Sequence, residues 1–173
     1  MGKSILITGG ARSGKSRLAE DWALVEPGTP IYVATCRASD PEMEDRIARH
    51  QARRGAEWTT LHTPLDLVEA LSDTDGHGPR LIDCLTLWLA NLMEDGKDWQ
   101  SAAADLAEAL ARQSSPVICV TNEVGLGIVP ENALSRKFRD AQGTLNQTIA
   151  RAADEVYLAV AGYPMKVKPD ANA

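Results

Sequence analysis

Residues 9–16 read Gly-Gly-Ala-Arg-Ser-Gly-Lys-Ser, which fills the pattern G-x-x-x-x-G-K-[ST] completely. The string follows a short apolar run at 4–8 and opens a helical pattern at 13–24, and that strand–loop–helix context marks a phosphate-binding loop. Gly9, Gly10 and Gly14 let the backbone curl so that the N–H groups around Ala11, Arg12 and Ser13 point inward at phosphate oxygens. The positive end of the following helix adds to the attraction. In such a loop Lys15 reaches the β- and γ-phosphates and the Ser16 hydroxyl ligates Mg²⁺. The competing reading, a glycine turn before an ordinary helix, has both string and context against it.

The rest of the chain repeats this alternation. Strands are expected at 31–35, 58–61, 80–84, 116–121 and 156–161, the last one in the chain. Helices are expected at 40–53, 64–71, 85–93, 99–113 and 131–154, the last with a break near Gly143. Leu18, Ala19, Trp22 and Ala23 fall on one face of the first helix. Residues 73–79 and 125–130 read as loops, and the polar tail at 169–173 as frayed. Alternating strands and helices imply an α/β fold with a mostly parallel sheet and helices on both faces. With 173 residues and no linker or repeat, the chain reads as one domain, 1–173.

Composition narrows the function. A net charge of -6 offers no basic footprint for nucleic acid. No stretch approaches a membrane span, and the apolar run at 5–7 is too short for a signal peptide. Cys36, Cys84 and Cys119 are widely spaced and odd in number, so they read as buried thiols of a reducing cytoplasm rather than a disulfide framework.

Three stretches carry further chemistry. Leu81-Ile82-Asp83 ends an apolar strand with an acid, which suits either the metal beside the phosphate loop or a cap for the next helix. On a helix over 40–53, Glu42, Arg46, Arg49, His50 and Arg53 share a side. The arginines disfavour imidazolium and keep His50 neutral and nucleophilic, as a phosphate-transfer site needs; composition alone favours the plainer reading, a solvated charged face with a surface histidine. Asn122 and Glu123 end the fourth interior strand, where an open α/β sheet receives its ligand, and are candidates for the substrate side or for a simple turn. His62 and His77 have weaker claims, with His77 in an exposed loop.

These residues resemble the bifunctional adenosylcobinamide kinase/adenosylcobinamide-phosphate guanylyltransferase family of cobalamin assembly. The supporting strings are 9–17, Ala34-Thr35, Asp40 with Glu42-Met43 and Arg46-Ile47, His50, Arg54, Trp58, Asp83-Cys84-Leu85-Thr86 and Asn91-Leu92. The most specific is Thr-Asn-Glu-Val-Gly-Leu-Gly-Ile-Val-Pro-Glu-Asn at 121–132, joined to Phe138-Arg139-Asp140, Gly143, Asn146-Gln147 and Ala153-Asp154. The resemblance implies a RecA-like P-loop NTPase fold, ATP or GTP and Mg²⁺ for a kinase step, and GTP for a guanylyl step. It implies adenosylcobinamide and its phosphate as acceptors, a covalent GMP carrier at His50, and a homo-oligomer, a trimer in the family. By the same resemblance Ala34, Thr35, Cys36, Gln51, Ala52, Arg53, Arg54, His62 and Asp83 join the phosphate loop around the nucleotide. His62 stands where the family carries a glutamate and Gly55 where proline is common. A small-molecule kinase without a covalent step, and a nucleotide-dependent switch, are the competing functions.

Overall fold

A computed structural model describes residues 2–37 and 55–169. The expected helix over 40–53, with His50 and Gln51 to Arg54, lies outside the described residues, as does the tail beyond 169. In chain order the elements are β1 Ser4–Thr8, α1 Lys15–Val25, β2 Ile31–Ala34, β3 Thr59–His62, α2 Leu67–Thr74 and β4 Arg80–Asp83. They continue as α3 Leu85–Glu94, α4 Trp99–Arg112, β5 Val117–Val120, α5 Ala133–Ala152, β6 Glu155–Val160 and β7 Tyr163–Lys168.

The strands form one sheet of seven in the order β3-β2-β4-β5-β1-β6-β7. Every pairing is parallel except β6 with β7. The inner strands β1, β2, β4 and β5 are short and largely apolar on both sides because helices cover both faces, while the edge strand β3 is mostly exposed. On one face α2, α3, α4 and α5 bury Leu71, Trp88, Leu106 and Leu145 against Leu6, Val33, Ile82 and Cys119. On the other, α1 lays Ala19 and Ala23 over Ile5, Ile7, Ile118 and Val120, with Leu18 and Trp22 packed beside them. The face expected for the first helix is therefore the buried one.

Three expectations are corrected. β6 is not the last strand: Ala161 and Gly162, both at positive φ, turn the chain back into the antiparallel edge strand β7. Tyr163, Met165 and Val167 alternate with Pro164, Lys166 and Lys168 at strand period, though both sets are largely exposed at this edge. Second, α5 runs unbroken through Gly143, because Ala141, Gln142, Leu145 and Ile149 on either side are buried and hold it. A helical glycine costs only about 1 kcal/mol, less than that packing supplies. Third, of the three free thiols only Cys119 is fully buried, its pKa pushed up by burial to about 12; Cys36 and Cys84 are half-buried.

The amino edge of the sheet holds a buried cation. Arg80 opens β4 with no solvent exposure. Its Nη2 is 3.0 Å from Asp75 Oδ1 and also donates to Gln113 Oε1, and Nη1 donates to the Gly78 carbonyl at 3.2 Å. Asp75 in turn accepts the Ser114 and Ser115 amides at 2.9 and 3.0 Å. Burial alone would raise the Asp75 carboxyl, but those amides and Arg80 outweigh it and hold it at about 2. An unfolded aspartate titrates near ~3.9, so this contribution of about 2 kcal/mol is complete above roughly pH 4 and is lost as pH falls through about 2. Asp75→Asn is expected to remove it and flatten the acid limb of stability against pH. Asp75→Ala should cost about 3 kcal/mol at neutral pH by leaving a buried guanidinium without its anion. Urea unfolding from pH 7 down to pH 3 checks both, and an unchanged acid limb would refute the assignment.

Candidate nucleotide site

The cradle begins where β1 ends, and its glycines are demanded by close approach. A Cβ at Gly9 would stand 2.7 Å from the Ala159 carbonyl oxygen of β6 and 2.7 Å from Ser13 Oγ. A Cβ at Gly14, whose φ is +94°, would stand 2.9 Å from Gly162 Cα. The Gly162 N–H donates to the Ser13 carbonyl at 2.8 Å, so the β6–β7 turn backs the loop. Gly10 is open, while Arg12 takes a positive φ of 57°. Lys15, 8% exposed, sends Nζ back across the loop to the Gly10 carbonyl at 2.9 Å. The first turn of α1 contains no acid, so its positive end is not neutralised from within the helix. Thr8 Oγ1 and Ser13 Oγ are buried without a hydrogen-bond partner, which suits a loop that closes around a polar ligand.

Asp83 reaches this cradle across β5, which lies between β4 and β1. Ser16 Oγ donates to Asp83 Oδ1 at 3.3 Å, and Tyr32 Oη donates to Oδ2 at 2.5 Å. The helix-cap alternative fails: the N-cap of α3 is Cys84, and no side chain caps it. A hydroxyl and a carboxylate meeting beside a phosphate loop fit a hard divalent cation, which prefers oxygen ligands. Among the described residues no cluster of three or more His, Cys, Asp or Glu offers another metal site. Cys84, next in sequence, is a poor nucleophile, because burial and the Asp83 carboxylate both raise its thiol pKa.

The other predicted residues divide. Thr35 is fully buried, and its hydroxyl is committed to Cys84, donating to the carbonyl and accepting the amide, both at 2.8 Å. Ala34 is buried beside it and Cys36 half-buried. His62 is exposed at the carboxyl end of β3, in register with Ala34 on the outermost strand, two strands from Asp83. His77 is exposed in its loop. The Asn122 amide donates to Thr86 Oγ1 at 2.9 Å and the Glu123 amide to the Gly9 carbonyl at 3.0 Å. The Glu123 carboxylate accepts the Gly125 amide at 2.7 Å, as in the simple turn reading.

Sequence reasoning missed a buried polar network behind this edge. Gln142 Nε2 donates to Thr121 Oγ1 at 2.9 Å and to Asn146 Oδ1 at 2.8 Å, while Asn146 Nδ2 donates to the Asn122 carbonyl at 3.0 Å. Polar residues four apart on the buried face of an amphipathic helix were the available signal. Tyr32 was missed for a different reason: a tyrosine in an apolar strand reads as core until its partner is known.

The model of the family described as cobinamide kinase / cobinamide phosphate guanyltransferase matches residues 5–167. The bifunctional adenosylcobalamin biosynthesis protein CobP of Pseudomonas aeruginosa is 47% identical over 167 residues, covering 94% of this chain and 96% of its own. The corresponding CobU proteins of Salmonella typhimurium and Escherichia coli are 41% and 40% identical, each covering 95% of this chain and 99% of its own. Among solved structures, an ATPase of a type III secretion system aligns with TM-score 0.59 at 13% identity, over 96% of this chain and 57% of that one. A Pyrococcus horikoshii protein aligns with TM-score 0.54 at 9% identity, over 95% and 85%. At these identities both concern the fold alone.

The cradle and the Asp83 pair are expected to make separable contributions to nucleotide binding. Lys15→Ala is expected to weaken binding of a fluorescent GTP analogue at least tenfold at saturating Mg²⁺. Ser16→Ala and Asp83→Asn are expected to shift the Mg²⁺ concentration for half-maximal binding upward instead. Titration of the analogue across Mg²⁺ concentrations separates the two effects; unmoved Mg²⁺ dependence in both variants would place the metal elsewhere.

Proposed function

The chain belongs to the cobinamide kinase / cobinamide phosphate guanyltransferase family, bifunctional transferases of cobalamin biosynthesis, and on that basis we propose that both reactions use the one cradle at Gly9 to Ser16 and that the second passes through His50. The observation carrying this reading is the family match along nearly the whole chain, together with a complete phosphate loop facing Asp83.

In the kinase step, the aminopropanol hydroxyl of adenosylcobinamide attacks the γ-phosphorus of ATP or GTP. A new O–P bond forms, the bond to the β-phosphate oxygen breaks, and the hydroxyl proton passes to solvent. Phosphoryl transfer of this kind is mainly positioning and charge neutralisation, which Lys15 and the amides of the loop supply. Mg²⁺, held by Ser16 and Asp83, would offset phosphate charge. In the transferase step, a ring nitrogen of neutral His50 attacks the α-phosphorus of GTP and pyrophosphate leaves. The acceptor phosphate oxygen then attacks the same phosphorus, the P–N bond breaks, and adenosylcobinamide-GDP forms with His50 restored. Histidine suits the task because about neutral pH much of it is the free base, and Arg46, Arg49, Arg53 and Arg54 disfavour its protonation. Gln51, Ala52, Arg53, Arg54 and His62 join the nucleotide contacts in this reading, with Asn122 and Glu123 toward the acceptor. The working protein is a cytoplasmic homo-oligomer, a trimer, of single-domain chains.

Incubation with labelled GTP and Mg²⁺, without corrinoid, is expected to leave acid-labile, base-stable label on His50. His50→Ala should abolish both the label and guanylyl transfer, while cobinamide phosphorylation continues at a rate within about tenfold of wild type, because no covalent carrier serves that step. Peptide mapping decides it: label on His62, His77 or a lysine overturns the assignment, and wild-type protein that never labels leaves a plain kinase.

A further inference from the structure

The nucleotide site leaves unexplained a groove that stands above the carboxyl edge of the sheet. α5 is 20 residues long, about 30 Å at 1.5 Å per residue. Gln142 and Asn146 meet Thr121 and Asn122 just past the end of β5, and the helix then descends to Ala153 and the start of β6. Its first nine residues, roughly 13 Å of helix, therefore project beyond the sheet on the phosphate side. The α3–α4 corner is held at the same level. Asn91 of α3 donates to the carbonyls of Thr35 and Pro64, which follow β2 and β3, whereas α4 leads down to Gln113 beside Arg80 at the amino edge. Between the corner and the projecting half of α5 lies a cavity of about 860 Å³.

The cavity's chemistry is that of an amphipathic host. Met93, Trp99, Val124, Leu134 and Phe138 supply apolar and aromatic surface, Lys97, Ser135, Lys137 and Arg139 supply hydrogen-bond donors at the rim, and Glu94 adds a single carboxylate. The segment forming one wall exposes Leu126 at 91% and Ile128 at 97%, and Leu134 at the helix start is 68% exposed. A run of exposed aliphatic side chains beside an aromatic-lined cleft marks a binding surface rather than ordinary solvent-facing structure. That wall is continuous with the cradle, since it springs from Glu123, whose amide is bonded to the Gly9 carbonyl.

We propose that this groove seats the corrin macrocycle of the acceptor, its face on Met93, Trp99 and Phe138 and its carboxamide arms against Lys97, Ser135 and Lys137. The assignment rests on the corrinoid-acceptor reading and adds the place where that acceptor is held. A corrin presents a broad apolar face ringed by amide carbonyls, which matches an apolar floor with a donor-bearing rim. The aminopropanol arm is then free to cross the 121–124 segment toward the cradle, with the Gln142–Thr121–Asn146 network fixing the projecting helix relative to the loop that holds the triphosphate.

Leu134→Glu and Ser135→Trp test this without disturbing the core, since both positions are exposed and an acid in the first turn of a helix is favourable. Steady-state kinase assays with cobinamide and ATP are expected to show the KM for cobinamide raised at least tenfold in each variant and the KM for ATP changed less than twofold. Sedimentation should show the wild-type assembly state. Wild-type KM values for cobinamide in both variants overturn the groove while leaving the corrinoid-acceptor reading standing. Altered KM values accompanied by a changed assembly state also overturn it, making the surface a contact between copies of the chain. Wild-type protein that neither binds nor phosphorylates cobinamide removes the acceptor reading itself.

Discussion

The close approach of β6 and its following turn to the loop after β1 is the constraint on which the site depends. The Ala159 carbonyl and Gly162 Cα leave no space for a side chain at positions 9 and 14. The backbone is thereby held in a curl that an extended chain with side chains would abandon. Parallel pairing of β1 with both β5 and β6 puts all three carboxyl ends at one edge, so the loop is supported from β5 through Glu123 and from β6 through Gly162. α1 starts from that support with its positive end toward the cradle and its apolar face on the sheet.

The two edges of the sheet are built differently. At the amino edge, Arg80 is buried and satisfied largely by Asp75, Gln113 and Gly78, and Ser4 donates its amide and hydroxyl to Asp154, each at 2.8 Å. These contacts tie strand starts to the ends of helices. At the carboxyl edge, half-buried polar groups meet beside the phosphate loop: Ser16 with Asp83, Tyr32 with Asp83, Asn122 with Thr86. One edge spends its polar groups on holding the fold, and the other presents them where a triphosphate and an acceptor can meet. The acceptor groove extends that second edge upward, along the part of α5 that the sheet does not cover.

Where local reading and structure part company, a tertiary contact is responsible. Gly143 argues for a break in the last helix, but Gln142, Leu145, Asn146 and Ile149 are fixed on either side of it by burial and hydrogen bonds, and the helix continues. β7 was overlooked because the apolar residues at 163, 165 and 167 are mostly exposed, and a solvated edge strand lacks the unbroken apolar run that marks the interior ones. Asp83 ends its strand with two roles open to it in the sequence, and only the fold brings the hydroxyls of Ser16 and Tyr32, far away along the chain, onto its carboxylate.

The sequence by itself determined the phosphate loop, the alternation that makes a mostly parallel sheet, and the family, because each rests on local spacing: glycines where a turn needs them, apolar runs of strand length, and polar strings at strand ends. It also placed Asp83 at a strand end and paired α1's apolar face with the core. Only the tertiary structure decided the strand order that lets Asp83 reach Ser16 across β5, the burial of Arg80, the Gln142–Thr121–Asn146 network, and the height of α5 above the sheet. These are contacts between residues far apart in sequence, and no local pattern encodes a distance that exists only once the sheet has closed.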